Sequence, residues 1–355
     1  MQATRPTIVT ADDTTGALET AAACATEGCS CLVVPHGADL PAGSGIPGAL
    51  IVLDLRSRHL PPDEAASRLR SVVEATPDLR AHKIDSTLRG NWPAEVEAIA
   101  HAGRTVLLVP AFPAAGRTCV GGVVHVDGVP VHETAFADDP RSPVTTSRPT
   151  DRLPGAVSAH DLGAVRAALA EGVRIVVADA ASDADLHVLA AFAADHPDVV
   201  LVGPAAAITS LVAPAQERPV PAPLRPRVLV VSASRHPTAL AQLTGLAALG
   251  VTVVRPPADA RIDDADGVLS RLADDVHRHL SADASIETLI VVGGDTAAAV
   301  IGDAIVTVEG SLGVGIAVGR IDLPGRRALR LVTKPGGFGA PDTLVDVLHD
   351  ALGST

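Results

Sequence analysis

At 355 residues the chain exceeds the usual size of a single core, so two domains of roughly 150–200 residues are expected. Hydrophobic residues make up 47% of it, aromatics 1%, and tyrosine is absent; the core must be built from Ala, Val, Leu and Ile, which suits helices on buried parallel strands. A net charge of −13 argues against nucleic acid or anionic membrane as a partner, since both demand a basic surface, but leaves room for a local basic pocket.

Short β-branched runs alternate with Ala/Leu-rich stretches from end to end, the pattern of an α/β fold. The opening residues reach a polar Asp pair before any long apolar run, so neither a signal peptide nor a membrane span is expected, and the chain reads as cytoplasmic. Residues 7–10 read as a strand, Asp12 to Gly16 as a turn, and Ala17 to Glu27 as a helix. TADDTTG (10–16) thus sets two adjacent carboxylates, Asp12 and Asp13, between strand and helix, where open α/β sheets bind ligands. Neighbouring side chains in a turn point different ways, so one Asp can act on a substrate while the other orients it or holds a metal. Thr14 or Thr15 is the expected helix cap. Cys24, Cys29, Cys31 and Cys119 lack Cys-x-x-Cys spacing and read as small buried residues of a reduced protein.

Further strands are predicted at 31–34, 50–54, 105–109, 173–177 and 198–202. LDLRSRH (53–59) ends one of them with two arginines around a serine, Arg58 among them. The chain has only two lysines, Lys83 and Lys334, each in a short polar segment bearing glycine; a compact ammonium is a common phosphate ligand. KIDSTLRGN (83–91) packs Lys83, Asp85, Ser86, Thr87, Arg89 and Asn91 together, a set able to hydrogen-bond a polyhydroxylated acid, with Arg89 suited to a bidentate grip on its carboxylate. PAFPAAGRT (110–118) offers Arg117 after another strand, and the Asp-Gly within 123–131 signals a hairpin.

Residues 213–227 contain five prolines and no apolar periodicity, so a stiff linker is placed there, dividing residues 1–212 from 228–355. Beyond it a second α/β unit begins with the strand 228–231. In VVGGDTAAAV (291–300) a strand runs into Gly293, Gly294, Asp295 and Thr296 and then a helix, which exposes backbone N–H groups to phosphate. TKPGGFG (333–339) adds a second glycine turn, Gly336–Gly337, with Lys334 to meet the same anion. No Walker A loop exists, and GVGIAVG (313–319) reads as a flexible strand edge. Two lobes joined this way place a site in the cleft between them.

The ordered set ADDTTG, LDLRSRH, KIDSTLRGN, PAFPAAGRT, DGVPVHETAFADDPRSPV, GGDT and KPGGFG resembles the four-carbon acid sugar kinase family across about residues 7–350. The resemblance implies an N-terminal sugar-acid-binding domain, a C-terminal ATP-binding domain, and transfer of the ATP γ-phosphate to a hydroxyl of erythronate, threonate or 3-oxo-tetronate. By position it implies an acid-sugar site at Asp12, Asp13, Arg58, Lys83, Asp85 and Arg89, with Arg117 nearby, and ATP held by Gly293, Gly294, Asp295, Thr296, Gly336 and Gly337, with Mg²⁺ bridging the phosphates. Asp13 is the expected proton acceptor and Asp12 its orienting neighbour, though the two roles can be exchanged. Lys83 and Arg89 are expected to hold the substrate carboxylate. The family's serine-rich turn is VSASRHPT (231–238) here, with Ala233 for a glycine and His236 for the last serine; Ser234 and His236 are the expected nucleotide contacts. GVGIA (313–317) replaces the usual Pro-Gly-x-Pro segment. Other readings are a weakly active or inactive relative that senses a sugar acid, and an enzyme of another class on the same scaffold. A homodimer is left open.

Overall fold

The computed structural model describes residues 6–38, 48–139, 141–212, 221–225, 227–257, 264–323 and 328–352. In the first half the elements are β1 (Thr7–Ala11), α1 (Thr14–Thr26), β2 (Cys31–Pro35), β3 (Leu50–Asp54), α2 (Pro62–Ala75), β4 (Leu79–Lys83), α3 (Trp92–His101) and β5 (Thr105–Leu108). A small hairpin layer, β6 (Arg117–Val120), β7 (Val123–Val126) and β8 (Val129–Pro130), precedes β9 (Val157–Ala159), α4 (Leu162–Ala170), β10 (Ile175–Ala178), α5 (Asp183–Asp195), β11 (Val199–Gly203) and α6 (Ala205–Thr209). The second half carries β12 (Val228–Ser232), α7 (Pro237–Ala248), β13 (Thr252–Val254), α8 (Ala265–Ala282), β14 (Thr288–Val292) and α9 (Gly294–Ile301). It ends with β15 (Val306–Gly313), β16 (Ile316–Ile321), β17 (Leu329–Lys334) and α10 (Thr343–Leu352).

The result is a mixed α/β fold around one 14-stranded sheet, ordered β13-β12-β14-β17-β16-β15-β2-β3-β1-β4-β11-β5-β10-β9. Its two halves join where β15 pairs antiparallel with β2, Val306 opposite Val33 and Val308 opposite Cys31. One apolar cluster runs through both, with Val9, Val52 and Leu201 in the same core as Leu229, Val231 and Leu289. Strands buried on both faces favour continuous β-branched runs, as in β11 (VVLVG) and β14 (TLIVV). Among the described residues no helix is long and apolar enough to cross a membrane. Cys24, Cys31 and Cys119 are buried, and burial pushes the Cys24 thiol up to about 12.

Several expectations change in detail. Helix α1 begins at Thr14 rather than Ala17 because Asp13, not a threonine, caps it: the Asp13 side chain accepts from the Gly16 N–H. GVGIAVG is no edge. Its last four residues belong to β16, which lies between β15 and β17 with Ile316, Ala317 and Val318 buried. Gly319 is required there by a close backbone approach, since a Cβ would lie 2.3 Å from the Thr307 carbonyl oxygen. Of the proline-rich stretch, residues 213–220 and 226 lie outside the described residues. The described residues 221–225 pack onto the second half: Leu224 is buried beside Val230 and Ile290, and the Arg225 N–H donates to Thr288 Oγ1. The Asp127–Gly128 hairpin forms as expected, both residues having positive φ.

Candidate active site

Three parallel strands with matched ends assemble the charged centre. Ala11 of β1 is opposite Asp54 of β3 on one side and Lys83 of β4 on the other, so the residues just past each strand converge. Asp12 and Asp13 leave β1, Arg56 and Arg58 leave β3, and Lys83 and Asp85 close β4. Arg58 is the hub. Its Nε and Nη2 donate to the two oxygens of buried Asp12 at 2.7 and 2.8 Å, and Nη2 also donates to Asp13 Oδ1 at 2.6 Å. Lys83 Nζ donates to the same Asp13 oxygen at 3.2 Å. Asp85 accepts from Arg89 at 2.9 and 3.0 Å and from the Thr87 N–H at 3.1 Å. Arg89 also reaches Asp139 at 3.4 Å and lies over the Phe136 ring.

Three carboxylates therefore balance three cations away from bulk water, a set that is costly to bury and strongly destabilised if one member is lost. Burial would raise Asp13, but the Arg58 and Lys83 charges outweigh it and hold its carboxyl down at about 2. For Asp12 burial prevails over Arg58 and Lys83 and lifts it to about 6. Asp85 stays well below the usual carboxylate range, because Arg89 and Arg58 overcome its burial. Gly16 makes the arrangement possible: a Cβ there would lie 2.0 Å from Lys83 Nζ and 2.5 Å from Asp13 Oδ1.

Beneath the loop runs a buried polar chain that sequence reasoning missed. Thr10 Oγ1 meets His82 Nδ1 at 2.9 Å, His82 Nε2 meets Glu95 at 3.3 Å, and Ser57 donates to the other Glu95 oxygen. Asn91 Nδ2 donates to the Ser57 and Leu60 carbonyls at 2.8 Å, fixing the backbone on either side of Arg58. Thr14 donates to Asp54 at 2.5 Å, and Arg56 donates across to the Gly302 carbonyl at the end of α9.

The charged centre opens into a cavity of about 500 Å³ lined from both halves of the chain. Asp12, Asp13, Arg58, Lys83, Asp85, Arg89 and Arg117 line it, and so do His236, Gly294, Asp295, Gly336 and Gly337. Arg56, the other arginine of LDLRSRH, also faces it, and so do Glu19 and His59, to which the sequence assigned no role; burial raises the Glu19 carboxyl. Arg117 spends one N–H on the Ala115 carbonyl, while its buried Nε has no partner among the described residues. Lys83 and Arg89, expected to grip a substrate carboxylate, are each already held by a protein carboxylate.

The remaining expected residues, Ser234, Gly293, Thr296 and Lys334, are not part of the lining. Thr296 accepts from the Ala233 N–H at 3.1 Å, and Gly293 donates to the Lys334 carbonyl at 2.8 Å. Lys334 is buried, with Nζ donating to the Pro335 and Phe338 carbonyls at 2.6 and 2.7 Å; burial pulls its ammonium down to about 8. Its charge is turned into its own glycine turn rather than toward the cavity. Ser234 backs that turn, since a Cβ on Gly336 would lie 2.5 Å from Ser234 Oγ, and His236 caps α7 by accepting from the Thr238 N–H. Asp295 is bonded across the cavity mouth by Arg141 at 2.9 Å, with His59 at 3.8 Å. Gly294 is pressed against α1, where a Cβ would lie 2.6 Å from Thr15 Oγ1 and 3.7 Å from Asp13 Oδ2. Among the described residues no three His, Cys, Asp or Glu side chains are grouped to hold a metal ion.

Residues 7–211 match the model of a sugar-binding N-terminal domain. A D-threonate kinase of Cupriavidus necator is 31% identical over 403 aligned positions, covering 95% of this chain and 96% of that one. A D-threonate kinase of Salmonella typhimurium is 35% identical over 223 positions, covering 57% of this chain and 52% of that one. A D-erythronate kinase of Heliobacterium modesticaldum is 33% identical over 206 positions, 52% of this chain and 47% of its own. Among solved structures, a Haemophilus influenzae protein shares the fold with a TM-score of 0.70 at 18% identity, over 96% of this chain and 98% of that one. A Bordetella bronchiseptica domain of unknown function, a domain-swapped dimer with bound citrate, is 27% identical with a TM-score of 0.52, over 96% and 97% of the two chains.

Proposed function

The chain belongs to the four-carbon acid sugar kinase family, and from that premise we propose that it transfers the γ-phosphoryl group of ATP to a hydroxyl of a four-carbon sugar acid, of the threonate, erythronate or 3-oxo-tetronate type. The observation that carries the reading is the placement of Asp13. One oxygen is fixed by Gly16, Arg58 and Lys83, while the other is directed toward Gly294 at the head of α9. A sugar hydroxyl seated between them faces a positioned acceptor on one side and a helix N-terminus on the other. Catalysis of this kind rests on positioning and charge neutralisation, and the loose transition state asks little basicity of the acceptor. A carboxylate held at about 2 therefore serves as proton acceptor, whereas both oxygens of Asp12 are taken by Arg58.

The substrate carboxylate is assigned to Arg117, whose Nε has no partner among the described residues, with Arg89 beside it. Lys83, Arg58 and Asp85 hold the reacting groups in place rather than meeting that carboxylate. The citrate bound by the Bordetella relative supports a site for hydroxy acids. ATP fits the other wall. Gly294, Gly336 and Gly337 leave it without side chains, and the first-turn N–H groups of α9 lack intrahelical acceptors. Lys334 and Ser234 brace the 335–338 turn from behind. Magnesium would neutralise phosphate charge when bound; among the described residues no three acidic, His or Cys side chains are grouped for it, so it would be held by one or two carboxylates, for which Glu19 lines the cavity. In this reading residues 1–212 are the sugar-acid domain and 228–355 the nucleotide domain, with the cavity in the cleft between them and a homodimer as the assembly.

Acid-stimulated ADP release, measured with D-threonate, D-erythronate and 3-oxo-tetronate beside calorimetric binding of each acid, tests the proposal. Stimulation by at least one of them is the expected result. Acid binding with no stimulated release would overturn the kinase reading in favour of a sensor.

A further inference from the structure

A second cavity, about 450 Å³, adjoins the first and shares Arg58 and His59 as its wall. Its lining carries three arginines in a chain whose acids outnumber Lys and Arg by 41 to 28. Arg141, Arg152, His59 and Arg58 line it together with Ser142, Thr145 and Thr146, and no carboxylate is among the lining residues. Two neighbouring acids are held within their own loops: Asp139 accepts from the Arg141 and Ser142 N–H groups, and Asp151 accepts from the Thr146 hydroxyl. Asn91 lines the cavity too, but its amide is spent on backbone carbonyls.

These donors are not all equally free. Arg58 is committed to Asp12 and Asp13, whereas Arg141 and His59 reach only the half-exposed Asp295 on the rim. An exposed pair of that kind is weak and exchanges readily for another anion. Guanidinium forks and hydroxyls on one wall match a compact tetrahedral oxyanion, which would fill only part of the space. We propose that the second cavity binds a small oxyanion of the phosphate type, free phosphate or a phosphomonoester, and that the bound anion competes with Asp295 for Arg141 and His59. Occupancy then releases the first turn of α9 from the 141–146 loop, so the site would act on the grip between the two halves. It neither needs nor follows from the phosphoryl-transfer reading.

The chain carries its own reporter. Trp92, the only tryptophan, lines the second cavity, with its indole N–H held by the Leu88 carbonyl. Trp92 fluorescence is followed while inorganic phosphate, glycerol 3-phosphate or malonate is added at constant ionic strength, without ATP or sugar acid. A saturable change with phosphate or glycerol 3-phosphate is expected; saturation by glycerol 3-phosphate alone would identify phosphomonoesters as the source. Arg152→Ala should weaken that binding at least about tenfold, a charge-assisted contact being lost, and Arg152→Lys should fall in between. Arg152 is exposed, so both variants should melt with the parent protein. A change that never saturates, that KCl alone reproduces, that malonate matches, or that Arg152→Ala leaves intact would overturn the proposal. Because no turnover is measured, failure here is separate from failure of acid-stimulated ADP release.

Discussion

Gly16→Ala is the sharpest test of how the charged centre is built, because two effects of opposite sign compete at one atom. Gly16 is in the first turn of α1, where alanine is the better helix former by up to about 1 kcal/mol. Against that gain, the new methyl would lie 2.0 Å from Lys83 Nζ and 2.5 Å from both Asp13 Oδ1 and Lys83 Cε. Lys83 must leave, which strands its ammonium and takes one donor from Asp13, in a pair whose side chains are only 6% and 18% exposed. Breaking a buried pair costs about 3–5 kcal/mol, and the continuing hold of Arg58 on Asp13 puts this case at the low end. The net expectation is a loss of about 2 kcal/mol, read from urea unfolding at pH 7, with phosphoryl transfer impaired alongside. Stabilisation by the helix-propensity increment, with activity intact, would refute the claim that Lys83 is packed over this glycine.

Asp13→Asn keeps shape but not proton affinity, so both ligands should still bind by calorimetry while turnover falls at least about 100-fold. Asp12 is neutral below about 6 and then releases part of its hold on Arg58, so kcat/KM should drop as pH falls through that value, and Asp12→Asn should remove the limb. Its effect on stability has the opposite sign. Folded Asp12 keeps a proton that the unfolded chain gives up above 3.8, so this contribution is full below 3.8 and is lost as pH rises through about 6, which denaturation across that window in parent and Asp12→Asn will show. His236→Ala removes the α7 cap acceptor and should cost about 1 kcal/mol in chemical unfolding, whereas His236→Ser retains a capping oxygen and should cost little. Lys334→Met should raise KM for ATP and leave KM for the acid unchanged in steady-state kinetics, since the lysine braces only the glycine turn.

The parts of this site that were legible in the sequence are those confined to one short segment. TADDTTG and LDLRSRH each follow a β-branched run, and that local pattern is enough to place Asp12, Asp13 and Arg58 at strand ends. Strand β4 was not legible: LRAHK shows no β-branched residue, and only its pairing with β1 and β11 makes it a strand. Its last residue, Lys83, therefore read as part of a loop. The same limit hid the Thr10–His82–Glu95–Ser57 chain, whose members come from four separate segments and meet only through the register of β1 with β4 and the packing of α3 beneath them.

Lys334 marks the boundary between what composition can say and what it cannot. Rarity singled out two lysines, but it could not say which way an ammonium points. Lys83 ends on carboxylates because its strand is flanked by β1, whose next residues are Asp12 and Asp13. Lys334 ends β17 beside β14, whose next residues are Gly293 and Gly294, so no carboxylate is presented to it and the carbonyls of its own turn take the charge. The same cation, at the same place on a strand, serves the charged centre in one half and the backbone in the other. Neighbouring strands decide which, and a lysine moved from one site to the other could not take over its role.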